Sequence, residues 1–144
     1  METETIGRVL TEATIESLKD LWDAKRGMIP DEQVRRATAS DALVDTGATR
    51  LSLPTRLIRQ LGLEERYKKQ VRSGIGVSEA TVYDAMRLTI QGRDRTMDVV
   101  EVPDGTQVLI GQLPLQHLDF VVDMRTHSLI GNPAHCGEHM DDLY

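Results

Sequence analysis

The sequence predicts a mostly-β domain with one or two short helices. Three observations predict it. Val82, Met86, Leu88 and Ile90 recur with period two, the spacing of a half-buried strand. Two short apolar runs, Ala42-Leu43-Val44 and Val108-Leu109-Ile110, stop abruptly at Asp45 and Gly111. Turn signals punctuate the chain at Gln91-Gly92-Arg93-Asp94 and Pro103-Asp104-Gly105. Many short strands with turns between them, rather than alternating strands and long helices, describe a β domain.

From the start of the chain, residues 6–15 include Val9, Thr11, Thr14 and Ile15 and read as a strand. Ser17 suits the cap of a short helix over 18–25, with Leu18, Leu21 and Trp22 on one face and Gly27 as its stop. Residues 28–30 form a turn and 31–36 a helical turn. A strand follows over 38–44. Pro54 suits the first turn of a helix and Gly62 its end, with Leu57, Ile58 and Leu61 as a packing stripe. Arg66, Lys68, Lys69 and Arg72 form a basic run, read as a solvated face. Gly74 and Gly76 mark a loop or hairpin tip. The period-two strand comes next, and residues 97–102 return from it. A short helix starts near Pro114, and 120–122 with 128–130 make a last hairpin. From Asn132 the chain reads as irregular. One domain fills residues 1–144: an N-terminal strand and helix extension to 37, a core over 38–133 and a tail over 134–144.

Composition narrows the function. The net charge of −6 disfavours nucleic acid and anionic lipid. Aromatic residues make up only 3%, too few for a base-stacking surface. The single cysteine, Cys136, rules out an intrachain disulfide. The first ten residues carry Glu2 and Glu4 without a long apolar run, unlike a signal peptide or a membrane anchor. These features make a cytoplasmic protein the default expectation.

The chemistry concentrates in Ala42-Leu43-Val44-Asp45-Thr46-Gly47-Ala48-Thr49, where an apolar strand delivers a carboxylate to a tight turn. Gly47 permits close backbone approach, and turn amides can hold the carboxylate. Asp-Thr-Gly alone is common by chance. Its order relative to the rest is more specific. Apolar-apolar-Asp-Thr-Gly-Ala, then a Gly-rich hairpin, then apolar-apolar-Gly and a short helix resembles the retropepsin-like aspartic proteases. Those include the retroviral enzymes and single-domain cellular and bacterial members. The resemblance covers residues 38–133.

The resemblance implies an acid-protease half-barrel that works as a two-fold homodimer, cleaving an extended peptide or protein. Asp45 is then the catalytic aspartate, and Thr46, Gly47 and Ala48 complete the active-site loop. The flap is implied at Ser73, Gly74, Ile75, Gly76 and Val77, and Ile110 and Gly111 support the loop from beneath. No cofactor and no metal are implied. Thr49 and Arg50 stand where some retroviral enzymes have acidic residues, and Gln112 where they often have Arg, so an ion pair supporting the dimer is missing.

One Asp-Thr-Gly and no internal repeat mean that a second carboxylate must come from a second subunit. A reading in another class is a silent dimer of the same fold that binds peptides or serves assembly. Other constellations are weaker. His135, Cys136 and His139, with His127, Asp141 and Asp142 as possible partners, suggest soft metal ligands. They read more simply as a polar tail docked on a partner subunit. Cys136 as a nucleophile lacks a pocket. An aspartyl-phosphate site at Asp45 lacks the βαβ alternation. His117 reads as an ordinary surface or core histidine.

Overall fold

The computed structural model describes residues 8–74 and 76–140. Nine strands and three short α-helices follow in the order β1 (Val9–Ser17), α1 (Leu18–Lys25), β2 (Arg36–Val44), β3 (Leu51–Pro54), α2 (Thr55–Leu61), β4 (Glu65–Ser73), β5 (Gly76–Ile90), β6 (Arg93–Val102), β7 (Leu109–Ile110), α3 (Gln112–His117), β8 (Phe120–Asp123) and β9 (Ser128–Gly131). Single 3₁₀ turns occupy Asp31–Gln33 and Pro133–His135. The mostly-β class holds, with three α-helices where one or two were expected.

Seven strands form one sheet in the order β1-β2-β7-β3-β6-β5-β4, and β1 also pairs with β5. That last pairing closes β1, β2, β7, β3, β6 and β5 into a small barrel, so the sheet is more closed than a half-barrel. β1 pairs on one side with β2 and on the other, through Thr14 to Ser17, with β5. The N-terminal strand is therefore a stave of the barrel and not an appendage. Its span is Val9–Ser17, and Ile6 lies outside the described residues.

Period two is visible in what each strand buries. Val82, Met86, Leu88 and Ile90 of β5 are buried, and a one-residue register shift between Tyr83 and Met86 interrupts the alternation between the first two. Met86, Leu88 and Ile90 meet Ile15, Leu51, Leu53, Val99, Ile110 and Leu118 in one aliphatic core. With few aromatics, close packing of branched side chains supplies the stabilisation, about 1.5–3 kcal/mol for each fully buried Leu or Ile. Gln91 and Gly92 join β5 to β6 with φ of 50° and 80°, the paired positive values of a tight turn that matches strand twist.

The helices sit on the barrel's outside. Ser17 caps α1, its Oγ accepting from the Asp20 N–H at 3.3 Å. The apolar stripe expected on α1 is only partly covered: Trp22 is 52% exposed, while Asp20 is buried. Asp20 accepts from the Arg35 N–H at 2.9 Å and from the guanidinium at 2.7 and 3.0 Å. Those bonds hold its carboxyl below the ordinary value against the cost of burial. Beside it Glu16 bridges Arg36 and Arg87, at 3.1 and 2.9 Å, and so ties β1 to β2 and β5. Pro54 precedes α2 as its cap residue and ends β3, a strand the sequence did not signal. Ile58 and Leu61 bury the stripe of α2, and Gly62 closes it in the left-handed conformation.

The basic run is also a strand. β4 pairs with β5 from Glu65↔Tyr83 to Ser73↔Gly76, making a hairpin that extends beyond the barrel. Among the described residues no helix is long and apolar enough to cross a membrane.

Candidate active site

Two strands from distant parts of the sequence aim at one loop. β2 and β7 run parallel, with Leu43 beside Leu109 and Val44 beside Ile110. β7 then pairs antiparallel with β3. The loop at residues 45–50 leaves β2, passes over the end of β7, and returns as β3 on its other side.

Backbone hydrogen bonds fix that loop. The Asp45 N–H donates to Ile110 O at 2.9 Å, continuing the β2–β7 ladder by one residue. The Gly111 N–H donates to Arg50 O at 3.0 Å. The first amides of α3 turn to the same loop: Gln112 N–H to Ala48 O at 2.8 Å and Leu113 N–H to Thr49 O at 2.9 Å. Helix-start amides normally lack intrahelical partners, and here the loop supplies them. Within the loop, the Ala48 N–H closes a turn onto Asp45 O at 3.1 Å.

Gly111 is where the packing is tightest. A Cβ on it would stand 2.6 Å from Arg50 O and from Thr49 C. Only glycine lets the β7–α3 corner lie flat against the loop. This is the physical reason for an apolar-apolar-Gly signature opposite Asp-Thr-Gly.

Asp45 itself is half-buried, and Thr46 and Gly47 are exposed. One carboxylate oxygen, Oδ1, accepts from the Gly47 N–H at 3.0 Å. A Cβ on Gly47 would approach that oxygen to 3.2 Å. The loop thus orients the carboxylate without engulfing it. Next along the chain, Arg50 lies 4.0 Å from Asp98, which also faces Arg66 of β4 at 3.9 Å. The cation in place of an expected acid is paired within its own chain.

Asp45, Ala48, Ile110 and Gly111 are therefore brought together, with Ile110 and Gly111 buried beneath the loop. Gly74, Gly76 and Val77 belong to the far end of the β4–β5 hairpin, where Val77 is 64% exposed. Ser73 ends β4 there, and Ile75 lies outside the described residues. Clefts of about 530 and 560 Å³ open beside Trp22 and beside Asp119, and neither is lined by Asp45.

A second polar centre has no counterpart in the sequence reading. Asp119 follows α3 with φ of 59° and is buried. Its carboxylate accepts from Asn132 Nδ2 at 3.1 Å, His135 Nδ1 at 2.6 Å and the Met140 N–H at 3.1 Å. A carboxylate can only accept here, so His135 carries its proton on Nδ1. The His135 bond, followed by the others, holds the Asp119 carboxyl below its ordinary value. Arg93 donates to the Leu118 and Asp119 carbonyls and to Gly137 O. The tail over 132–140 is thus folded onto its own chain. Among the described residues no three His, Cys, Asp or Glu side chains converge as metal ligands; Asp141 and Asp142 lie outside them. The signal available in the sequence was Asp119 itself, an acid set between the core residues Leu118 and Phe120.

The model of one protein family, described as gag-polyprotein putative aspartyl protease, matches residues 33–131. That span contains the loop, the hairpin and the β7–α3 corner, and it excludes β1 and α1. A search among curated proteins returned no match.

Proposed function

The chain belongs to the retropepsin-like aspartyl protease family, and from that premise we propose that it is an aspartic endopeptidase whose water-activating pair is Asp45 and its symmetry mate in a homodimer. One observation carries the reading: Asp45 is oriented by the Gly47 amide yet keeps the rest of its carboxylate open. A carboxylate kept only for structure is surrounded by donors, as Asp119 is.

The chemistry needs two such groups. One ionised carboxylate takes a proton from water as it attacks the peptide carbon. The other, protonated, donates to the carbonyl oxygen. Two carboxyls a few ångströms apart share one proton because both cannot ionise cheaply. The exposed Thr46 and Gly47 suit an axis at which two loops meet, with Thr46 bonding across it. The β4–β5 hairpin is the flap: its backbone lies over an extended peptide, adds to it as a strand, and excludes water.

The test is peptide hydrolysis across pH 4 to 7 by the wild type and by Asp45→Asn. Cleavage by the wild type, strongest in mild acid and lost in the variant, is expected. Cleavage that survives in Asp45→Asn overturns the assignment. Peptide binding without turnover in the wild type indicates a silent binding module instead. Sedimentation of the active species as a monomer overturns the shared pair.

A further inference from the structure

The start of α3 seats the Asp45 loop through backbone amides, those of Gln112 and Leu113 on Ala48 O and Thr49 O. The end of α3 carries His117. The His117 carbonyl accepts from Arg95 Nη1 at 3.5 Å and from His139 Nε2 at 3.2 Å, which fixes the backbone that bears the imidazole. The last residue of the loop is Arg50, whose carbonyl accepts from the Gly111 N–H. The Arg50 and His117 side chains line one cavity of about 90 Å³. Asp98 of β6 lines it too, and Leu51, Met97 and Pro114 are among its apolar walls.

Each of the two side chains brings a buried nitrogen to this region. Among the described residues, Arg50 Nη1 and His117 Nδ1 are buried and have no hydrogen-bond partner. Arg50 Nη1 lies 4.0 Å from Asp98 Oδ1, an ion-pair distance beyond hydrogen-bond reach. Buried polar atoms are as a rule paired in folded proteins, and an unpaired one is costly. The two nitrogens are complementary. A guanidinium can only donate, and Nδ1 of a neutral imidazole protonated on Nε2 accepts. The lining selects what can join them. Asp98 opposes an anion, and Arg50 opposes a cation. A water molecule accepts from Arg50, donates to His117 and has a second proton for Asp98. Polar partners on several sides and a volume of this size are what a buried water requires.

We propose that a water molecule bridges Arg50 Nη1 and His117 Nδ1 in this cavity, which makes His117 a positioning residue for the Asp45 loop. The inference rests on the proteolytic reading of Asp45 and adds to it a residue from outside the loop. The bridge ties the last side chain of the loop to the end of α3, as the backbone bonds tie Ala48 and Thr49 to its start. Without it, the Arg50 guanidinium faces Asp98 alone, a carboxylate it shares with Arg66 of β4 at 3.9 Å. The loop then moves more freely, and Asp45 is less often in its reactive position.

The experiment measures kcat and KM for peptide hydrolysis by the wild type, Arg50→Met, His117→Leu, the double variant and His117→Asn. Each of the two single losses should lower kcat about fivefold, the worth of one water-mediated hydrogen bond, and leave KM within about twofold. The double variant should be no slower than the slower single one, because both remove the same bridge. His117→Asn should restore the rate, since its amide oxygen takes the place of Nδ1 and accepts. Losses that multiply, an Asn variant as slow as the Leu variant, or an unchanged kcat in His117→Leu overturns the proposal. The same cycle read by denaturant unfolding separates the two readings. Cleavage with additive unfolding losses defeats the bridge alone. A wild type that does not cleave, with non-additive losses restored by Asn, defeats the protease alone. A crystal structure of the wild type reads the cavity directly. Water density within hydrogen-bond distance of both nitrogens is expected, and a dry cavity or another occupant overturns the bridge.

Discussion

The two ends of α3 present two aspartates in opposite circumstances. At its start the loop holds Asp45, whose carboxylate accepts one amide and is otherwise open. At its end Asp119 is buried, and its carboxylate accepts from Asn132, His135 and Met140. Asp119 commits its lone pairs to the fold, and Asp45 leaves most of its own open. The loop that presents Asp45 is instead held by backbone groups and by the glycine contact at Gly111. The molecule separates the groups that hold the loop from the carboxylate that the loop presents.

That separation can be broken from either end. The largest effect is expected for Gly111→Ala. Its methyl group meets backbone atoms at 2.6 Å, which no side-chain rotation relieves. The β7–α3 corner must move off the loop, at a cost of about 3 kcal/mol or more. Thermal unfolding should show the loss, and hydrolysis should fall with it. A variant of unchanged stability would mean that the corner does not seat the loop.

Asp119→Asn comes next. It should lower the melting temperature by several degrees at neutral pH and release the tail over 132–140 to proteolysis, while hydrolysis by the folded protein persists. Its pH dependence sharpens the contrast. Folding holds the Asp119 and Asp20 carboxyls below their ordinary 3.8. Each therefore adds stability that is fully present above that value and is lost as pH falls through it toward the lower folded-state value. Acid unfolding of the wild type should set in below about pH 4, and Asp119→Asn should flatten that limb. Mildly acidic conditions, where the paired Asp45 groups are expected to work, stay above this limit.

Smaller effects test the periphery. Ser17→Ala removes the cap of α1 and should cost about 1 kcal/mol by denaturant unfolding. Lys19→Ala breaks an exposed pair with Asp23 at 3.1 Å and should change stability by less than about 0.5 kcal/mol.

Much of this was legible in the sequence because it depends on local pattern. The period-two strand, the Asp-Thr-Gly turn, the Ser17 cap and the Gly62 stop each announce themselves within a few residues. β4 was not legible. It is solvated on both faces along most of its length, so its residues show no alternation and are held by pairing with β5. β3 was hidden for a different reason. Leu51 to Pro54 is too short to show a period, and it is a strand only because β7 and β6 flank it. Asp119 was missed because its partners lie 13 to 21 residues downstream and only the folded tail brings them back. At the Asp45 loop the motif was visible, but the reason for Gly111 required the contact with Arg50.

The strand order has a consequence for biogenesis. β2 and β3 are neighbours in sequence, yet β7 lies between them. A nascent chain that has delivered Asp45 cannot set it until residues 109–113 have also left the ribosome, almost half the polypeptide later. Synthesis thus leaves the Asp45 carboxylate without a seat until translation of the core is nearly done.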